Sequence, residues 1–170
     1  AQHYRDARII TIYEGTTGIQ SNDLIGRKLL RDKAEAMSIV IAEIQEVVAQ
    51  LSNHESLSDM ASLLQNGVDN LQTAVNYILS STTEHADFPG SVAVNFMMLT
   101  GTVFGAWQMC RAALAVTDGD GDEDISAEFA NNKVAITRFY CQQVLPRAAA
   151  YLQMIEVTAE SVFSIPVDQL

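Results

Sequence analysis

Two apolar seams of identical spacing constrain this chain more than anything else in it. Met37, Ile41, Ile44, Val48 and Leu51 follow one another at intervals of 4, 3, 4 and 3, and Leu64, Val68, Leu71, Val75 and Ile78 repeat those intervals. Such spacing puts every member on one face of an α-helix, whereas a half-buried strand needs alternation with period two. No run of strict alternation bounded by turn pairs is present, and no unit recurs with the ~20–50-residue period of a repeat protein. Sheets and solenoids are therefore set aside, and the seams predict two long helices that must bury their apolar faces against others.

The breaks between periodic stretches set the remaining architecture. Ser52-Asn53-His54-Glu55-Ser56 separates the two seams, and Ser56-x-x-Asp59 resembles a helix N-terminal cap. Asp87-Phe88-Pro89-Gly90 is expected to end the second long helix. Ser91 to Val116 is the most apolar segment. It is long enough to raise the question of a membrane span. Asn95, Gln108 and Arg111 interrupt it and no basic cluster flanks it, so a buried central helix is the better reading. Gly101-x-x-x-Gly105 would let a neighbouring helix approach this segment closely. A last helix runs from about Ser126 to about Val162, with a kink or break near Val144-Leu145 imposed by Pro146. The expected fold is all-α, an antiparallel bundle of about five long helices.

Composition narrows the function classes. The 170 residues are 48% hydrophobic and 18% charged, which supports a packed core. The formal charge of −11 disfavours nucleic acid and anionic lipid as partners. Two cysteines, Cys110 and Cys141, fall mid-helix among apolar residues and read as buried free thiols in a reducing, cytoplasmic setting. His3, His54 and His85 lie far apart beside polar breaks, without metal-ligand spacing, and read as exposed histidines. Asp118, Asp120 and Asp122 imitate the first ligands of a calcium loop. Glu123 stands where that loop needs Gly and Phe129 where it needs Glu, so a solvated acidic loop is expected and no metal site. The chain opens Ala-Gln-His-Tyr, without an initiator Met or a signal-type run, and reads as a piece of something longer.

One stretch carries chemistry. Between Tyr4 and Lys28 the sequence runs YRDARIITIYEGTTGIQSNDLIGRK. Thr17-x-x-Gln20 has the form of a capping box that starts a helix. Glu14 then sits on the turn before a helix N-terminus, with Ile9, Ile10, Ile12 and Tyr13 before it and Gly15 after it. A carboxylate there can serve as a general base if burial raises its pKa, and the following N–H groups can meet a phosphate. On these residues alone the simpler reading is a first-turn carboxylate facing the helix dipole, since one carboxylate beside a helix start is common.

The run RDARI…IYEGTTGIQ resembles a signature of the acyl-CoA dehydrogenase family, where the pattern is close to RDAKI…IYEGTSQIQ. The resemblance implies that Glu14 is the catalytic base, that Tyr13 lines the acyl pocket and that Gly15 lies against the thioester. It places FAD contacts on Thr16, Thr17 and Gly18. Gly18 stands where the family has Gln, which leaves only a backbone contact there. The implied reaction is α,β-dehydrogenation of an acyl-CoA to the trans-2-enoyl-CoA, with FAD as cofactor and an electron-transfer flavoprotein as a possible acceptor.

The long stretch after Glu14 resembles the extended subgroup of that family, whose members carry an extra C-terminal helical domain. Residues 1–32 would end the catalytic domain and residues 33–170 would form the extension. In that subgroup the extension covers the surface by which shorter relatives pair dimers into tetramers, which implies a homodimer here. A DNA-binding branch with a basic extension does not match the acidic charge, and membrane attachment ranks below domain packing. The rest of the active site is expected in upstream domains of the same chain. The competing reading is a helical interaction or oligomerisation domain without catalysis.

Overall fold

The computed structural model describes residues 2–13, 15–83, 85–118, 126–166 and 169. In chain order the elements are α1 (Gln2–Tyr13), α2 (Thr17–Asp23), a π-helical segment (Leu24–Leu30), α3 (Glu35–Asn53), α4 (Ser58–Ser81), α5 (Phe88–Thr117), α6 (Ala127–Gln143) and α7 (Arg147–Phe163). Among the described residues there is no strand, and α3 to α7 are the five long helices of an all-α bundle.

Both apolar seams are core. Every residue of the α3 seam and of the α4 seam is buried, and Ile44, Leu51, Leu64, Leu71 and Ile78 have no exposed surface. Complete burial of such side chains stabilises a fold by about 1.5–3 kcal/mol each. α5 is the central element and packs against α2, the π-helical segment, α3, α4, α6 and α7. By length and composition it could cross a membrane. In the bundle, Phe88, Val92, Phe96, Leu99, Val103, Ala106, Cys110 and Ala113 are buried by its neighbours.

Directions follow from side-chain contacts. Thr137 and Tyr140 of α6 bond to the carbonyls of Met109 and Thr102 in α5, so residue numbers rise on one helix as they fall on the other. α5 and α6 therefore form an antiparallel hairpin. α7 lies along α4 in the same direction. A Cβ on Gly67 would meet Leu145, and one helix stretch further on Tyr77 Oη donates to the Glu156 carbonyl at 2.9 Å. Pro146 divides the last helical stretch where the sequence places the break, with a turn over residues 144–146.

Several local expectations are corrected. Asp87-Phe88-Pro89-Gly90 does not end α4, which stops at Ser81. Asp87 precedes α5 without a side-chain cap bond, and Phe88, Pro89 and Gly90 form its first turn. Proline is tolerated there because its missing N–H has no intrahelical acceptor. Ser56-x-x-Asp59 is not a cap. Leu57 precedes α4, and no side chain bonds its first turn as a cap. Of the Gly101-x-x-x-Gly105 pair, only Gly105 admits a neighbour. A Cβ there would run into Tyr140, whereas a Cβ on Gly101 meets nothing within 4 Å. His54 is not a freely exposed histidine. Its Nε2 lies 3.3 Å from Asp118 Oδ1 and its Nδ1 accepts the Ser56 N–H. The acidic loop beyond Asp118, including Asp120, Asp122 and Glu123, lies outside the described residues.

Between the π-helical segment and α3 the chain turns through two left-handed residues, Lys33 (φ 54°) and Ala34 (φ 65°). The Ala34 N–H bonds to the Leu29 carbonyl at 2.8 Å, and the Asp32 carboxylate accepts the Ala36 N–H in the first turn of α3.

Candidate functional site

The junction of α1 and α2 holds the residues singled out for chemistry. Tyr13 is the last residue of α1, and Glu14 lies outside the described residues. Gly15 and Thr16 connect the two helices, and Thr17 and Gly18 open α2. Thr16 has extended backbone (φ −55°, ψ 148°), and its Oγ1 accepts the Ile19 N–H at 3.3 Å. Its carbonyl accepts the Gln20 N–H at 3.0 Å. The cap is thus Thr16, one residue before the Thr17-x-x-Gln20 box expected from sequence. Two consecutive threonines made either register possible, and the extended backbone of Thr16 decides between them.

This shift changes what the helix start presents. With Thr16 as cap, Thr17 and Gly18 hold the first helical positions, where an N–H has no intrahelical acceptor. Thr16, Thr17 and Gly18 are all exposed, and open space surrounds the position a Gly18 side chain would take. Gly15 is half-buried. A Cβ there would come within 3.0 Å of Gln20 Nε2, so the glycine accommodates the Gln20 side chain. Ser21, one turn on, is buried and donates to the Gly18 carbonyl at 3.0 Å, which holds the first turn in shape. Backbone N–H groups at an open helix start suit an anionic oxygen such as that of a phosphate. Among the described residues, no three His, Cys, Asp or Glu side chains gather closely enough to hold a metal.

Three polar or nucleophilic pairs elsewhere were not legible from the sequence. Arg138 of α6 bonds Asp59 of α4 through Nε (2.7 Å) and Nη2 (3.2 Å), and Nη2 also donates to the Ser56 carbonyl at 3.1 Å. The Arg138 guanidinium holds the Asp59 carboxyl below the usual carboxylate range. His54 and Asp118 form the second pair, joining the ends of α3 and α5. The two thiols of Cys110 and Cys141 form the third, with sulfurs 3.7 Å apart. Local sequence windows cannot show such pairs, since 79 positions separate Asp59 from Arg138 and 31 separate the cysteines. The cysteine pair had one indirect signal: the two residues lie on either arm of the hairpin that the acidic loop closes.

Comparison with known proteins places the chain. A family model described as acetyl-CoA dehydrogenase C-terminal like matches residues 40–166, which takes in α4, α5, α6 and α7 entire and most of α3. The chain belongs to the acyl-CoA dehydrogenase family. It is 33% identical over 165 residues to a 3-methylmercaptopropionyl-CoA dehydrogenase of Ruegeria pomeroyi, covering 96% of this chain and 28% of the relative. It is 30% identical over 175 residues to a broad-specificity linear acyl-CoA dehydrogenase of Mycobacterium tuberculosis, with the same two coverages. A butyryl-CoA dehydrogenase of Syntrophomonas wolfei is 26% identical over 165 residues, covering 95% of this chain and 27% of the relative. The chain thus spans a little over a quarter of the length of these curated relatives.

Proposed function

We propose that this chain is the C-terminal helical part of an FAD-dependent dehydrogenase that converts an acyl-CoA thioester to the trans-2-enoyl-CoA. The observation that carries the reading is the Tyr13-Glu14-Gly15-Thr16-Thr17 run directly before the capped start of α2, in a chain of the acyl-CoA dehydrogenase family. Glu14 removes the α-proton of the thioester as general base. The backbone N–H of Glu14 hydrogen-bonds the thioester carbonyl as negative charge develops there. Gly15 lies against the thioester, and Tyr13 lines the acyl pocket. FAD, when bound, supplies the acceptor for the β-hydride. The backbone N–H groups of the exposed residues Thr17 and Gly18, with open space beside Gly18, fit an anionic part of that cofactor. Thr16 positions them as the cap of α2.

The remaining partners follow from the same reading. Tyr4, Ile9, Ile12 and Ile19 are exposed apolar side chains on α1 and α2. They suit burial against further domains of a longer polypeptide of the size of the relatives. The α3–α7 bundle serves domain packing and oligomerisation, with a homodimer as the assembly. The protein acts in the cytoplasm and passes electrons to an electron-transfer flavoprotein.

The test is Glu14→Gln in the full-length flavoprotein, mixed anaerobically with acyl-CoA. The amide keeps the shape and cannot accept the proton. Flavin bleaching should slow by more than the ~10²–10⁴-fold typical of general-base loss. Bleaching at the wild-type rate would remove Glu14 from the mechanism. For the assembly, light scattering on the full-length protein should report a dimer, and a stable tetramer would refute that part.

A further inference from the structure

Cys110 of α5 and Cys141 of α6 are the chain's two cysteines, and both are fully buried. Their sulfurs lie 3.7 Å apart, in van der Waals contact. Two hydrogen bonds fix the register of the helices around them: Thr137 Oγ1 to the Met109 carbonyl at 3.1 Å, and Tyr140 Oη to the Thr102 carbonyl at 3.3 Å. A disulfide needs the sulfurs about 2.05 Å apart, so they must close by about 1.7 Å.

The two thiols are not equivalent. Cys141 helps line a cavity of about 220 Å³ between α4 and the turn at Pro146, together with Asn66, Gly67, Asn70 and Leu145. Cys110 does not line it. The cavity is large enough for a molecule as small as hydrogen peroxide, although Cys141 itself is buried at its wall. Either sulfur can donate the thiol hydrogen bond, and donation from Cys110 leaves Cys141, the thiol beside the cavity, as the one able to ionise.

We propose that Cys110 and Cys141 form a redox-active dithiol site whose oxidant is a small hydroperoxide and whose product is a disulfide joining α5 to α6. Cys141 is the attacking thiolate. It forms an S–O bond with one oxygen of hydrogen peroxide as the O–O bond breaks and hydroxide leaves. The Cys110 thiol then attacks the resulting sulfenic sulfur. The S–S bond forms, the S–O bond breaks, and the Cys110 proton leaves with the oxygen as water. Two thiols lose two electrons, and one peroxide becomes two waters. The cross-link closes the chain across the acidic loop between the hairpin arms.

The test is to treat the folded chain with hydrogen peroxide, alkylate the remaining thiols after denaturation, and map the peptides by mass spectrometry. The expected product is a single cross-linked peptide pair containing Cys110 and Cys141, with no alkylation at either. Its formation should raise Tm by roughly 10 °C, reversed by dithiothreitol. In Cys110→Ala, dimedone should trap a sulfenic acid at Cys141, and in Cys141→Ala, Cys110 should stay unlabelled. Recovery of both thiols alkylated, or sulfinic acid at Cys141 without a cross-link, would overturn the site. Trapping at Cys110 but not at Cys141 in the single variants would overturn the assignment of roles.

Discussion

Arg138 clasps Asp59 with two nitrogens, Nε at 2.7 Å and Nη2 at 3.2 Å, and so ties the middle of α6 to the first turn of α4. Backbone N–H groups of Asp59 and Met60 join Arg138 in holding the carboxyl below its ordinary value. Both side chains are partly exposed, so solvent screens the pair, and its worth is that of a surface ion pair, about 0.2–1 kcal/mol. A carboxyl with a depressed folded-state pKa contributes stability above its unfolded value and loses it as pH falls through the folded one. Asp59→Asn should therefore be less stable than the parent by up to about 1 kcal/mol at neutral pH. The difference should shrink below about pH 4, where the parent carboxyl takes up its proton. Urea titrations at several pH values check this, and a gap that widens in acid would refute it.

The two glycines of α5 should respond to alanine with opposite signs. Gly105→Ala forces a Cβ into the ring and hydroxyl of Tyr140 and should cost about 1–3 kcal/mol. Gly101→Ala meets only open space and replaces a poor helix former, so it should stabilise by up to about 1 kcal/mol. Thermal denaturation of the two variants decides it. Equal effects would mean that Tyr140 does not pack where it is described.

Lys33 is exposed and left-handed (φ 54°) at the entry to α3. A side chain in that conformation costs roughly 1 kcal/mol relative to glycine. Lys33→Gly should raise stability by up to about that amount, read as an increase in the denaturation midpoint. A fall would show that the side chain contributes more than its backbone strain costs. Ala34 is also left-handed but buried, so glycine there loses packing as it relieves strain.

Thr16 and Thr17 separate two versions of the α2 start. With Thr16 as cap, Thr16→Ala should cost about 0.5–2 kcal/mol, while Thr17→Ala should fall within about ±0.5 kcal/mol. The reverse order in chemical denaturation would restore the register predicted from sequence.

The apolar periods of α3 and α4 determined by themselves which faces are buried, because side chains spaced by 4 and 3 share one helix face and must leave water together. Pro146 likewise determined the break between α6 and α7, since its ring clashes with a continuing helix wherever the chain goes. The length and near-uniform apolarity of Ser91 to Val116 were enough to make α5 the central helix. Other features were decided only by tertiary packing. Thr16 and Thr17 are equivalent as capping residues, and Gly101 and Gly105 as close-approach residues, until a neighbouring backbone or the Tyr140 ring breaks the tie. The pairs Arg138–Asp59, His54–Asp118 and Cys110–Cys141 depend on how helices are docked and at what register. A helix's own period says which face it buries and leaves open which residue of another helix will meet it.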